Sequence, residues 1–126
     1  NLVDAAVARP VSPDWVSEEI PEIGRLAGMA TAMLGMAVRK QGRTSGLTHG
    51  EVRVVHTTVT VNYTNGRTAR FDDQVVATAM SQGGDSGSLV VYGEPPLALG
   101  LLFAGSPLAT IFSPISTVLD ALDVTL

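Results

Sequence analysis

Short runs rich in β-branched and apolar residues, each ended by Gly, Pro, Asn or Asp, recur along most of this chain. Residues 36–44 and 51–63 read as two strands, with a Gly-punctuated bend over 45–50 between them. Asn65-Gly66 is the strongest hairpin signal present and predicts a type I′ turn. The chain should then return as a strand over 67–79. Residues 89–92, 97–104 and 109–112 add three more strands, with Gly93-Glu94-Pro95-Pro96 and Gly105-Ser106-Pro107 as turns. Near the end the period changes. Ile115, Val118, Leu119 and Leu122 fall on one face of a helix, with Ser113 as N-cap and Pro114 at the first helical position. A series of short antiparallel strands closed by one helix is the pattern of a small all-β barrel.

The first 35 residues are less regular. Residues 1–9 read as a short apolar strand carrying Asp4 near its start. Residues 10–24 hold Pro10, Pro13 and Pro21 among the acids Asp14, Glu18, Glu19 and Glu22, and read as a surface connector. Ser12-Pro13 is a cap-then-proline start for a turn or two ending before Pro21. Trp15, the only Trp, is the expected anchor of that connector.

With 126 residues, 45% hydrophobic and 16% charged, the chain is globular and long enough to bury a core. A net charge of −4, with no basic run, gives no support for nucleic-acid binding. The least polar stretch, 26–38, is too short to span a bilayer and is broken by Gly28, Thr31 and Gly35, so no membrane contact is expected. There is no cysteine, so disulfides and thiolate metal sites are excluded. No metal or cofactor is implied, and compartment is open between secreted and cytoplasmic. The four Met, three of them between Met29 and Met36, read as gap-fillers in an apolar stretch.

Chemistry concentrates in Gln82-Gly83-Gly84-Asp85-Ser86-Gly87-Ser88, which runs straight into an apolar strand. Gly, Asp and Ser are also the commonest turn residues, so the bare tetrapeptide Gly84-Asp85-Ser86-Gly87 is equally a surface turn. Asp4, taken alone, either caps a turn or has a partner, the cap being the ordinary role of such an Asp. His56 within its β-rich run is a structural histidine, and His49 falls in the 46–50 bend. Lys40 is either a solvated strand charge or a partner for a buried acid.

Together these segments resemble the trypsin-like serine proteases, above all the bacterial streptogrisin and α-lytic type. The resemblance is continuous from about residue 36 to 126. Gly42-Arg43-Thr44-Ser45-Gly46-Leu47-Thr48-His49-Gly50 is similar to the first hairpin of that family's C-terminal barrel. Gly84-Asp85-Ser86-Gly87 is similar to its nucleophile loop, and Leu99-Gly100-Leu101-Leu102-Phe103-Ala104-Gly105-Ser106 to the strand that binds substrate backbone. Ile111-Phe112-Ser113-Pro114-Ile115 resembles the segment leading into the closing helix.

The resemblance implies a chymotrypsin-like fold, with an antiparallel second β-barrel over 36–126, an interdomain connector over 10–35, and the end strand of the first barrel over 1–9. It implies Ser86 as nucleophile, with the main-chain amides of Gly84 and Ser86 as oxyanion hole. Asp4, in Asp4-Ala5-Ala6-Val7, becomes the acid that orients a histidine. Asp85 turns inward to a cation, Lys40 first and Arg43 in reserve. Met80, Ser81 and Gln82 form one wall of the primary specificity pocket, and Phe103, Ala104 and Gly105 the other. No acid stands among these six, so a small or medium apolar side chain is favoured over Lys or Arg. Phe103 departs from the small residue usual at its place.

The family's histidine lies upstream of its Asp, on a first barrel, and neither His49 nor His56 sits in that motif. The expected partners are therefore a peptide or protein substrate and an N-terminal barrel carrying the histidine. Without that barrel the chain should be catalytically silent. The competing expectation is a non-catalytic protease-fold module for protein recognition.

Overall fold

The computed structural model describes residues 1–126. A single 3₁₀ turn, Pro13–Trp15, is followed by three two-residue strands, β1 (Glu19–Ile20), β2 (Gly24–Arg25) and β3 (Gly28–Met29). The longer strands are β4 (Ala37–Gly42), β5 (Gly46–Asn62), β6 (Thr68–Thr78), β7 (Leu89–Tyr92), β8 (Leu97–Gly105) and β9 (Ala109–Pro114). Helix α1 (Ile115–Leu122) ends the chain.

The six longer strands form a hydrogen-bonded ring. β4 pairs with β5 and β7, β6 with β5 and β9, and β8 with β7 and β9, all antiparallel. Each strand thus has two partners and no edge is left among them, which is how a barrel removes the liability of an open sheet. β3 adds in parallel to the start of β8, and residues 27–30 follow that strand through main-chain bonds to Pro96 and Ala98.

Alternation along each strand sends every second side chain inward. Val38, Val52, Val75, Ala77, Met80, Val90, Leu99, Leu102 and Phe112 meet there in one core. At about 25 cal/mol per Å² of apolar surface buried, this interior is the main source of stability. Ile115 and Val118 turn the helix onto β8 and β9, with Leu119 and Leu122 half-buried beside them.

Several expectations need correction. Residues 45–50 do not form a bend. β4 and β5 pair without a break from Gly42↔Gly46 to Ala37↔Glu51, so the turn is only 43–45 and His49 lies in a strand opposite Arg39. Gly46, with φ 67°, follows that turn, while close packing explains Gly50. A Cβ on Gly50 would lie 2.9 Å from Thr78 Oγ1 and 3.0 Å from Met80 Sδ.

The Asn65-Gly66 hairpin is not type I′. Of the two, only Gly66 has positive φ (77°), and the Tyr63 amide bonds to Arg67 O while Gly66 N–H bonds to Tyr63 O. That is a three-residue loop with Gly in the left-handed position. The Asn65 side chain favours it by accepting the Arg67 amide.

Residues 1–9 form no strand. Asn1 bonds to the main chain of Arg70 and Asp72, and the Gln74 side chain bonds Leu2 O, but no ladder continues beyond them. Trp15 anchors nothing, being 74% exposed. Ser12 does cap its turn through the Asp14 amide. Ser113 does not cap α1, because its hydroxyl donates to Gln74 Oε1 at 2.7 Å and Pro114 takes the cap position.

Candidate active site

The loop between β6 and β7 is built around Asp85, which is completely buried. Its Oδ1 accepts the amides of Thr44 (2.9 Å) and Ser45 (3.1 Å), and its Oδ2 accepts the Gln82 amide (2.9 Å) and the Ser45 hydroxyl. Burial by itself would push this carboxyl up. The Ser45 hydroxyl and the amides of Gln82, Ser45 and Thr44 outweigh it and hold the group well below the usual carboxylate range.

Lys40 approaches the same point from inside the barrel. Strand alternation puts it on the inward face of β4 with Val38 and Gly42, and it too is fully buried. Its ammonium donates to Ser45 Oγ at 2.6 Å and Gly46 O at 3.0 Å, and lies 3.5 Å from Asp85 Oδ2. The Ser45 hydroxyl therefore sits between the two charges, donating to one and accepting from the other. Arg43, by contrast, is exposed and forms no ion pair.

With Asp85 held, the loop has one shape. Asp85 N–H bonds to Gln82 O and Ser88 N–H to Asp85 O, giving two successive turns. Gly87 N–H to Leu102 O and Leu102 N–H to Ser88 O then fasten it to β8. Gly84 is required twice over. Its φ is 102°, and a Cβ there would fall 2.2 Å from Thr44 Oγ1. At Gly42 a Cβ would fall 2.3 Å from Asp85 Oδ1.

Ser86 stands exposed at the apex, its hydroxyl donating to Phe103 O at 3.3 Å. The amides of Gly84 and Ser86 donate no main-chain hydrogen bond within the chain. They are free for a ligand oxygen, as an oxyanion hole demands.

Ser86 opens onto a cleft of about 1040 Å³. Met80, Ser81 and Gln82 line it on one side and Phe103, Ala104 and Gly105 on another, with the hairpin residues Asn62, Tyr63 and Thr64 also at its wall. The Thr48 hydroxyl fixes Met80 O at 2.6 Å, and Ser81 Oγ meets Thr110 Oγ1 at 2.8 Å. A Cβ on Gly105 would lie 2.6 Å from Ser81 Oγ, so the walls come close there. Phe103 stacks obliquely on the buried Phe71, with ring centroids 4.8 Å apart. No lining residue carries a charged side chain.

Asp4 is exposed, and its Oδ2 accepts the Tyr63 hydroxyl at 2.7 Å. Hydrogen bonding to Asp4, burial and the nearby negative charge push the Tyr63 phenol up to about 12. Neither histidine lines the cleft. His49 is exposed on β5, and His56, at a bulge with φ 50°, lies with Nδ1 2.6 Å from Asp73 Oδ1. No three His, Asp or Glu side chains converge as a metal site. Ser45 and Tyr63 were not anticipated as site residues. Both join positions far apart in sequence, and no local pattern announces that.

A closed antiparallel barrel followed by a terminal helix is the second-barrel fold of the chymotrypsin-like serine proteases, shared with Cellulomonas bogoriensis chymotrypsin (TM-score 0.65, 27% identity, 77% of this chain and 52% of that one). In sequence the chain is similar to bacterial members of this family. It is 34% identical over 105 residues to glutamyl endopeptidase 2 of Streptomyces griseus, covering 79% of this chain and 52% of the relative. It is 41% identical over 76 residues to serine protease 1 of Streptomyces fradiae, covering 60% and 19%. A solved glutamic-acid-specific serine protease, described as using a histidine triad in substrate binding, matches at 35% identity and a TM-score of 0.60, over 76% of this chain and 50% of its own. No family model matches. The chain thus spans about half the length of the Streptomyces griseus relative, and less of the other.

Proposed function

We propose that this chain is the nucleophile-bearing half of a serine endopeptidase. The observation that carries the reading is the loop itself: an exposed Ser86 hydroxyl beside two unengaged amides, on a loop locked by a buried acid. Ser86 Oγ attacks the scissile carbonyl carbon as its proton passes to an imidazole. The carbonyl oxygen, now negative, accepts from Gly84 and Ser86 N–H, each such donor contributing on the order of 10²–10³ in rate. Collapse breaks the C–N bond, and the leaving amine takes the proton from the imidazolium. Water then hydrolyses the acyl-enzyme by the same steps. The imidazole comes from a first barrel outside these residues, and Asp4 fixes its tautomer and stabilises its charged form. With the Ser86 hydroxyl given to Phe103 O and no base in the cleft, the chain by itself has the nucleophile but not its activation.

The cleft favours an uncharged residue on the acyl side of the bond, small or medium and apolar. Its lining offers no counter-ion for Lys or Arg, and no histidine of the kind described for the glutamic-acid-specific relative. The test uses the full-length gene product. A fluorophosphonate probe should label it, Ser86→Ala should abolish labelling, and a peptide library should show cleavage after neutral residues. Absence of labelling under every condition would favour a protease-fold module that only recognises proteins. Strict cleavage after Arg or Glu would overturn the pocket assignment while leaving the nucleophile in place.

A further inference from the structure

We infer that Tyr63 is the positioning residue of the Asp4 carboxylate, a hydroxyl donor reaching across from the cleft wall to fix the acid of the proposed triad. The inference rests on the reading of Asp4 given above. Asp4 lies in a segment without regular structure, and the last inter-segment bonds before it are those of Asn1 and Leu2 to β6 and Gln74. Gln74 is fully buried and is itself held by the Ser113 hydroxyl, so the anchor at Leu2 is firm. Beyond Leu2, the one hydrogen bond that fixes Asp4 is Tyr63 Oη to Oδ2 at 2.7 Å.

The donor is well placed for this work. Tyr63 is pinned at the hairpin by its amide to Arg67 O (2.8 Å) and its carbonyl to Gly66 N–H (3.1 Å), and it also lines the cleft onto which Ser86 opens. One residue thereby ties the acid to the substrate wall. A carboxylate has room for about four hydrogen bonds. Tyr63 takes one on Oδ2 and leaves Oδ1 without a partner, open to an imidazole N–H. With its phenol pushed up to about 12, Tyr63 remains a donor throughout the neutral and mildly alkaline range.

The experiment uses the full-length gene product and an activated ester substrate, with four proteins: wild type, Tyr63→Phe, Asp4→Asn and the double variant. Tyr63→Phe keeps the ring and removes only the donor. It should lower kcat about tenfold with KM within about twofold, the signature of an interaction realised in the transition state. Asp4→Asn should lower kcat by roughly 10⁴. In that background Tyr63→Phe should change nothing further, since a residue acting through Asp4 has nothing left to position. An unchanged kcat in Tyr63→Phe, or the same tenfold loss in both backgrounds, would overturn the inference and leave the triad reading standing. An Asp4→Asn protein with wild-type kcat would overturn the triad assignment, and the positioning role with it. Thermal midpoints of all four separate these outcomes from unfolding, and Tyr63→Leu, which removes ring and donor together, should raise KM as well.

Discussion

Asp85→Asn exchanges one oxygen for an amide nitrogen at the most heavily bonded side chain of the loop. Asn can still accept from Thr44 and Ser45 through its remaining oxygen. Its NH₂ then faces the Gln82 amide, which donates to Oδ2 at 2.9 Å when Asp85 is present and would be left unpaired in a buried place. An unsatisfied buried donor costs about 1–3 kcal/mol. The second loss is electrostatic. Lys40 is fully buried, and with Asp85 neutral its ammonium keeps only Ser45 Oγ and Gly46 O. Breaking a buried pair by removing one partner costs about 3–5 kcal/mol in all. For a domain of this size, that lowers Tm by roughly 10–20 °C. Fluorophosphonate labelling should fall further than stability, since the Gly84 and Ser86 amides point where Asp85 makes them point. The sign with pH also follows. A carboxyl held below its usual range stabilises the fold above its unfolded pKa, and that contribution is lost as pH falls through its folded value. The gap between wild type and Asp85→Asn should therefore be full at neutral pH and shrink only in strong acid. Adding Lys40→Met to Asp85→Asn removes the orphaned ammonium and should recover part of the loss. An Asp85→Asn protein within about 1 kcal/mol of wild type by denaturant titration, or a double variant no more stable than Asp85→Asn alone, would refute this account.

Two further outcomes are expected. Gly84→Ala meets both a φ of 102° and a contact 2.2 Å from Thr44 Oγ1, so the loop must shift; in the full-length gene product kcat should fall on the order of 10² or more with KM little changed, measured on a peptide substrate. Phe71→Ala removes the buried ring on which Phe103 leans, and should cost about 3–5 kcal/mol by thermal or denaturant unfolding. Its cleavage profile should also broaden toward larger side chains, because the Phe103 wall loses its support.

The parts of this molecule that could be read from sequence are those in which local chemistry and local structure make the same demand. Gly84-Asp85-Ser86-Gly87 is such a place: a tight loop and the nucleophile proposed in it both call for small residues, and the apolar run after it calls for a strand. The helix at 115–122 was legible because its period is its packing. Where a residue answers to something distant, the pattern misleads. Gly50 looks like turn punctuation, yet it is small because Thr78 and Met80 cross over it. Ser113 has the composition of a helix cap, but its hydroxyl is taken by Gln74, thirty-nine residues back. Asn65-Gly66 carries a two-residue turn signal, and the Asn65 side chain diverts it by binding Arg67.

Lys40 and Tyr63 extend the same point to function. Nothing about a lysine in a β-rich run distinguishes a solvated charge from a buried one; the register of β4, set by Val38 and Gly42 facing inward, decides it. Ser45 then acquires its role only because the 43–45 turn folds it between Lys40 and Asp85, forty residues apart from the acid it serves. Tyr63 sits beside a hairpin signal and reads as turn material until the N-terminal residues are laid along β6, which carries Asp4 to its hydroxyl. The proposed nucleophile is thus a property of four consecutive residues, while the shape of its loop and the setting of the acid proposed to serve it are properties of the closed barrel. Substitutions at Lys40, Ser45 or Tyr63 should accordingly lower the reactivity of Ser86 without touching it.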